Sequence, residues 1–119
     1  MDEAVSLEML DDMVQDFIRR SKIRYTADQV YDIMGKNKTL ILRDGFISLY
    51  VDSQECQVLF MYIRPGANLL PYFEFAAEDI ARHFGCKYIR FLSRRKPKTI
   101  MRTRPGYRPV SIMYEKELI

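Results

Sequence analysis

The chain has 119 residues, 48% hydrophobic and 29% charged, with a formal net charge of +3. That composition predicts one globular domain, residues 1–119, able to bury roughly two thirds of its extended-chain surface, and no apolar run approaches the roughly 20 residues of a membrane span. The acidic start lacks the charge and apolar pattern of a secretory signal, which points to a cytoplasmic protein whose Cys56 and Cys86 are free thiols, and those two with His83 match no zinc-site spacing, so no metal is expected.

Leu7, Leu10, Met13, Val14, Phe17 and Ile18 recur at three-and-four spacing, the stripe of an amphipathic helix. Glu8, Asp11, Asp12 and Asp16 occupy its polar side, and Arg19 and Arg20 fall at its C-terminal end, where the macrodipole favours cations. Thr26 followed three residues later by Gln29 is a capping box, with Tyr25 and Val30 placed as a hydrophobic staple. The spacing predicts a second helix over Ala27–Met34, stopped by Gly35 in a left-handed turn.

The hydrophobic period then changes. Thr39–Leu42, Phe46–Val51 and Cys56–Ile63 are rich in β-formers, and turn residues separate them, which predicts a three-stranded antiparallel meander. The third run is apolar at consecutive positions and is therefore expected at the centre of the sheet, covered on both faces. Pro65 and Gly66 end it. A long helix, Leu69–Phe84, is predicted next, capped by Asn68, tolerant of Pro71 in its first turn, buried along Phe73, Ala76, Ala77, Ile80 and Phe84, and ended by Gly85. Cys86–Leu92 reads as a strand reached by a right-handed parallel crossover. A short helix over Pro97–Arg102, a turn at Arg104–Tyr107 and a last strand over Val110–Glu115 complete an α+β domain without repeats or linkers.

Charge is distributed one-sidedly along this order. From Ile80 to Tyr114 there are ten Lys or Arg residues and no Asp or Glu, whereas the first eighteen residues carry six acids and no base. Such a field is costly through self-repulsion unless an anion lies against it. A phosphate-bearing cofactor, a nucleic acid and the chain's own acidic first helix are the three candidates. Arg94, Arg95, Lys96, Lys98 and Arg102 are the candidate polyanion-binding residues, with Tyr88, Tyr107 and Tyr114 placed to interleave aromatic faces among them. A solvated basic face is the plainer reading of the same run.

The order of two helices, an antiparallel meander, the segment Leu59-Phe60-Met61-Tyr62-Ile63-Arg64-Pro65, a helix ending His83-Phe84-Gly85-Cys86, a strand and Gly106-Tyr107 before a last strand resembles the GNAT acyltransferase superfamily. The chain is compact for that superfamily, since Met1–Ser6 leaves no room for a strand before the first helix, and it is similar to the small members encoded by bacteriophages, some of them virion components. The resemblance implies acetyl-CoA or another acyl-CoA as cofactor and an amine as acceptor. It places a pyrophosphate loop at Arg64, Gly66, Ala67 and Asn68, held by backbone N–H groups and a helix N-terminus. Arg64 matches the family pattern; Ala67 stands where that pattern has glycine, Leu69 where it has Gly or Ala, and Pro65 removes an N–H.

Acyl transfer to an amine calls for a base at the amine and an acid at the leaving thiolate. The strand ending at Ile63 has no carboxylate, and Arg102 stands where the resemblance implies a tyrosine. Tyr62 and Tyr114 are the candidate catalytic side chains, although the plainer reading of each is a packed aromatic with its hydroxyl at a wet edge. His83 reads as a dipole partner at the end of its helix. Two functions therefore stand side by side: an acyl-CoA-dependent N-acyltransferase, and a catalytically degenerate GNAT-like module that binds nucleic acid or another polyanion on its basic face, or a protein partner.

Overall fold

The computed structural model describes residues 5–91 and Arg102. In chain order it has α1 (Leu7–Ser21), α2 (Ala27–Lys36), β1 (Lys38–Leu42), β2 (Gly45–Val51), β3 (Glu55–Ile63), α3 (Leu70–His83) and β4 (Tyr88–Phe91). The sheet order is β1-β2-β3-β4; the first three strands are antiparallel and β4 runs parallel to β3. The α+β layout and the crossover are those expected. The predicted turn at Arg104–Tyr107, the last strand, and Arg94, Arg95, Lys96, Lys98, Tyr107 and Tyr114 lie outside the described residues. Arg102 is helical and exposed.

Helix α1 begins at Ser6, an extended N-cap whose hydroxyl accepts from the Met9 N–H at 3.1 Å. Met13, Val14 and Phe17 of its predicted stripe are buried, Leu10 and Ile18 half-buried, and Leu7, one residue past the cap, is exposed. The capping box of α2 is present in both directions, from Gln29 N–H to Thr26 and from Thr26 N–H to Gln29. Tyr25 sets its ring edge-on to Phe60 at 6.1 Å.

Two boundaries differ from expectation for a physical reason. Gly35 does not stop α2: the helix runs to Lys36 and ends at Asn37 in extended backbone that leads directly into β1. The left-handed residue in this region is instead Lys22, at the end of α1, with φ 57°. Likewise Asn68 does not cap α3. Leu69, itself in helical backbone, is the N-cap and makes no side-chain cap bond, with Pro71 in the first turn where no N–H is missed.

At its other end α3 closes in a Schellman motif. Gly85 takes φ 74°, its N–H reaches Arg82 at 3.1 Å and the Cys86 N–H reaches the Ala81 carbonyl at 2.8 Å. Lys87 and Tyr88 then turn their N–H groups to the Gln54 carbonyl, so β4 starts at Tyr88 rather than at Cys86.

The core is split by the sheet. On one face α1 and α2 bury Met13, Val14, Phe17, Val30 and Met34 against Phe46, Phe60 and Tyr62. On the other, α3 buries Phe73, Ala77 and Ala81 against Ile47, Leu49 and Cys56. Phe17 is the hub of the first cluster, edge-on to Phe46, Phe60 and Tyr62 at 5.4, 5.3 and 6.5 Å. Both cysteines are free thiols, and burial pushes the Cys56 thiol upward.

Candidate functional site

The register of β3 shows where the sheet becomes irregular. Ser48 pairs with Phe60 but its neighbour Leu49 pairs with Val58, so Leu59 is an extra residue on β3, a β-bulge. Its consequence is visible in the core: Cys56 and Val58 belong to the cluster under α3, whereas Phe60 and Tyr62, also even-numbered, belong to the cluster under α1 and α2. The described pairing of β3 with β4 covers Glu55–Val58 opposite Tyr88–Phe91 and ends at the bulge. Beyond it the outer half of β3 leads to the loop into α3.

That loop is a type II turn. Pro65 and Gly66 are its central residues, Gly66 has φ 88°, and the Ala67 N–H closes on the Arg64 carbonyl at 3.0 Å. The Pro-Gly pair thus turns the chain where the third apolar run ends. Ala67 spends its N–H inside the turn, whereas among the described residues the Gly66 and Asn68 N–H groups have no backbone partner. The first turn of α3 carries no acid, so the positive end of the helix is not neutralised from within.

Two further residues hold this loop in place. The Arg64 N–H donates to the Asp44 carbonyl at 2.7 Å, and its guanidinium lies 3.5 Å from the Asp44 carboxylate, tying the loop to the β1–β2 turn. Gly45 matters more than its reading as a turn residue implied. A Cβ there would run into the Tyr62 carbonyl and press on Phe73 at 3.1 Å and Leu69 at 3.3 Å. Only glycine lets β2, the end of β3 and the start of α3 come this close. No periodicity signals such a contact, because it joins three elements distant in sequence.

Tyr62 is 5% exposed and sits on the α1 side of β3. Its hydroxyl donates to Asp16 Oδ2 at 2.6 Å, and Asp16 also accepts from Arg19 and from Arg20. Burial first, then the bond to Asp16, pushes the Tyr62 phenol up to about 12. The bonds from Tyr62 and Arg19 hold the Asp16 carboxyl down at about 2. The geometry is that of a packed aromatic whose hydroxyl is committed to a carboxylate, and Asp16 is a residue the sequence reading had placed only on a polar helix face. His83 lies in the last turn of α3, edge-on to Phe84.

Parallel strands joined by a crossover helix present a ligand site beyond their carboxyl ends. In this chain the type II loop and the uncapped end of α3 lie there, and the bulge at Leu59 stands in the middle of β3. Solved structures share the overall fold. An acetyltransferase from Trypanosoma brucei superposes with a TM-score of 0.63 at 12% identity, covering 94% of this chain and 92% of that one. The fold is GNAT-like. An aminoglycoside 6′-N-acetyltransferase from Acinetobacter haemolyticus superposes with a TM-score of 0.62 at 12% identity over 98% of this chain and 97% of its own. A transcriptional regulator from Bacillus halodurans does so with a TM-score of 0.59, again at 12% identity, over 94% and 97%. No protein-family model matches the sequence, and no curated protein does. Among the described residues, no helix is long and apolar enough to cross a membrane.

Proposed function

We propose that this protein is an acyl-CoA-dependent N-acyltransferase acting on an amine. The observation that carries the reading is the coincidence, at the carboxyl end of β3, of a left-handed glycine turn and an acid-free, uncapped helix N-terminus, with the strand bulge in the middle of β3 ahead of them. These features suit a pyrophosphate-bearing cofactor. Backbone N–H groups and a helix dipole favour the anion, and the space beside Gly66 is open, with nothing within 4 Å of a Cβ placed there. Arg64, Gly66 and Asn68 would hold the phosphates; Ala67 would shape the turn that presents them. The cofactor, when bound, supplies the activated acyl thioester.

What this chain adds is position. An amine brought to the outer half of β3 meets a rigid floor, since β3 is braced by Phe17, Phe46 and the Tyr62–Asp16 bond, and holding two reactants in a productive geometry alone is worth a large part of such a barrier. Tyr62, with its phenol near 12 and its proton directed at Asp16, acts in this reading as a brace for that floor. Tyr114 is retained as the candidate acid. The two acetyltransferases that share the fold, one of them acting on an aminoglycoside, favour an amine acceptor.

The test is a calorimetric titration of the folded protein with CoA and acetyl-CoA, followed by acyl transfer to a panel of primary amines. Saturable binding of both, with release of free thiol in the presence of an amine, is the expected result. A folded protein that binds neither overturns the reading.

A further inference from the structure

Strand β1 is the outer strand of the described sheet, and among the described residues it pairs only with β2. Which of its backbone groups face outward follows from the register. Leu42 and Gly45 flank the two-residue loop Arg43-Asp44, so they form a hydrogen-bonded pair, and such pairs alternate along an antiparallel ladder. Leu42, Leu40 and Lys38 therefore bond to β2, opposite Gly45, Ile47 and Leu49. The Arg64 N–H on the Asp44 carbonyl agrees, since it turns the even-numbered backbone groups at this end of the hairpin toward β3. The N–H and carbonyl groups of Thr39 and Ile41 point away from the sheet.

An open edge is a template for another strand unless proline, a bulge or a charge within the strand blunts it. Strand β1 reads Lys-Thr-Leu-Ile-Leu, its register with β2 is unbroken, and its charge stands at the first residue. Its side chains are already seated. Ile41 packs with the cluster under α1 and α2, Leu40 and Leu42 with the cluster under α3, and the Thr39 hydroxyl donates to the Met34 carbonyl at 2.8 Å and lies 2.9 Å from the Ser48 hydroxyl. What the edge still offers is backbone, which only another strand satisfies in full.

The segment Lys38–Asp44 is its own complement when reversed about Ile41. Outward-bonding Ile41 then meets Ile41 of the other copy, Leu40 meets Leu42 on the α3 face, and Lys38 meets Asp44 on both sides of the axis. Lys38 is exposed on that same face, its ammonium over the Phe84 ring at 5.0 Å. The Asp44 side chain is 50% exposed, and its contact with Arg64 at 3.5 Å uses one carboxylate oxygen. Other centres fit worse: reversal about Leu40 sets Lys38 against Leu42, and reversal between Leu40 and Ile41 sets Lys38 against Arg43 and outward groups against inward ones. We infer that the protein forms a two-fold symmetric homodimer in which β1 pairs antiparallel with β1 of a second copy about Ile41, joining two four-stranded sheets into one. This edge lies across the sheet from β4, and the inference stands independently of acyl transfer.

The experiment is sedimentation equilibrium of the full-length protein over a range of concentrations. A mass twice that of the 14.2 kDa chain is expected, falling to one chain on dilution. Lys38→Glu and Asp44→Lys each set like charges opposite one another on both sides of the axis, and each should weaken dimerisation at least about tenfold. An equimolar mixture of the two variants should recover the parent's affinity, because in the mixed pair every altered residue meets its opposite charge. Thermal melting checks that each variant is folded. Lys38 is exposed and outside the core, so Lys38→Glu decides the matter even if Asp44→Lys fails to fold. A parent that stays a single chain at every concentration overturns the inference, as does a dimer that Lys38→Glu leaves unmoved or a mixture of folded variants that recovers nothing.

Discussion

Tyr62 reaches across the core interface to Asp16, 46 residues earlier, with a 2.6 Å hydrogen bond that fastens the outer end of β3 to α1. The bond sits next to the Phe17 hub, so it fixes the angle at which the first helix crosses the sheet. Tyr62→Phe keeps the ring and removes only the hydroxyl; Asp16 retains Arg19 and Arg20. A loss of about 1–2 kcal/mol in chemical denaturation is expected, with secondary structure unchanged. A variant as stable as the parent would show that the bond contributes nothing net.

The same pair sets the pH limits of the fold. Asp16 titrates near 2 in the folded chain, below its ordinary 3.8, so the stability it supplies is present above about pH 4 and is lost as pH falls toward 2. Tyr62 and Tyr31 are both raised from 10 to about 12, Tyr31 by burial and then by its bond to Asp11. Their contribution is intact below pH 10 and disappears as pH climbs from 10 to 12. Melting temperature against pH should therefore fall at both ends, and Tyr31→Phe combined with Tyr62→Phe should flatten the alkaline fall. An alkaline limb unchanged in the double variant would place its cause elsewhere.

Gly45 is the third test. An added methyl collides with backbone, the Tyr62 carbonyl, and that atom cannot rotate away as a side chain would. Gly45→Ala is expected to cost about 1–3 kcal/mol, whereas Gly35→Ala, with nothing within 4 Å of the new methyl and helical backbone on both sides, should raise stability by about 0.5–1 kcal/mol. Melting of the two variants side by side checks both signs.

The contrast between those two glycines also shows what a sequence exposes and what it hides. Local signals were legible: the Thr26–Gln29 capping box, the Gly85 helix end, the stripe of Phe73 and Ala77, and the switch of period at Lys38 each depend on residues a few positions apart. Gly35 was misread because a glycine near a helix end satisfies the local rule whether or not the next element starts at once, and β1 begins only two residues after the helix finishes. The bulge at Leu59 and the contact at Gly45 were not legible, since each is a relation between strands. The same holds for Asp16, whose role comes from Tyr62 rather than from its own helix. At the loop, Arg64-Pro65-Gly66 was readable as a turn, but only the fold reveals that Ala67 closes it and that α3 starts uncapped.

Gly66 separates the turn from the anion cradle. Its φ of 88° disfavours any side chain although the space around it is open, so the penalty of a substitution is conformational and not steric. Gly66→Ala should lose about 1 kcal/mol of stability, and Gly66→Asn less, because asparagine enters the left-handed region more readily. If the loop holds the phosphates of CoA, affinity should follow the same order: parent strongest, Asn next, Ala weakest, as the turn that presents the Gly66 and Asn68 N–H groups loosens. Titration of CoA into the three folded proteins measures it. Equal affinities alongside the expected stability order would leave Pro65-Gly66 as a turn alone and move the cofactor away from this loop.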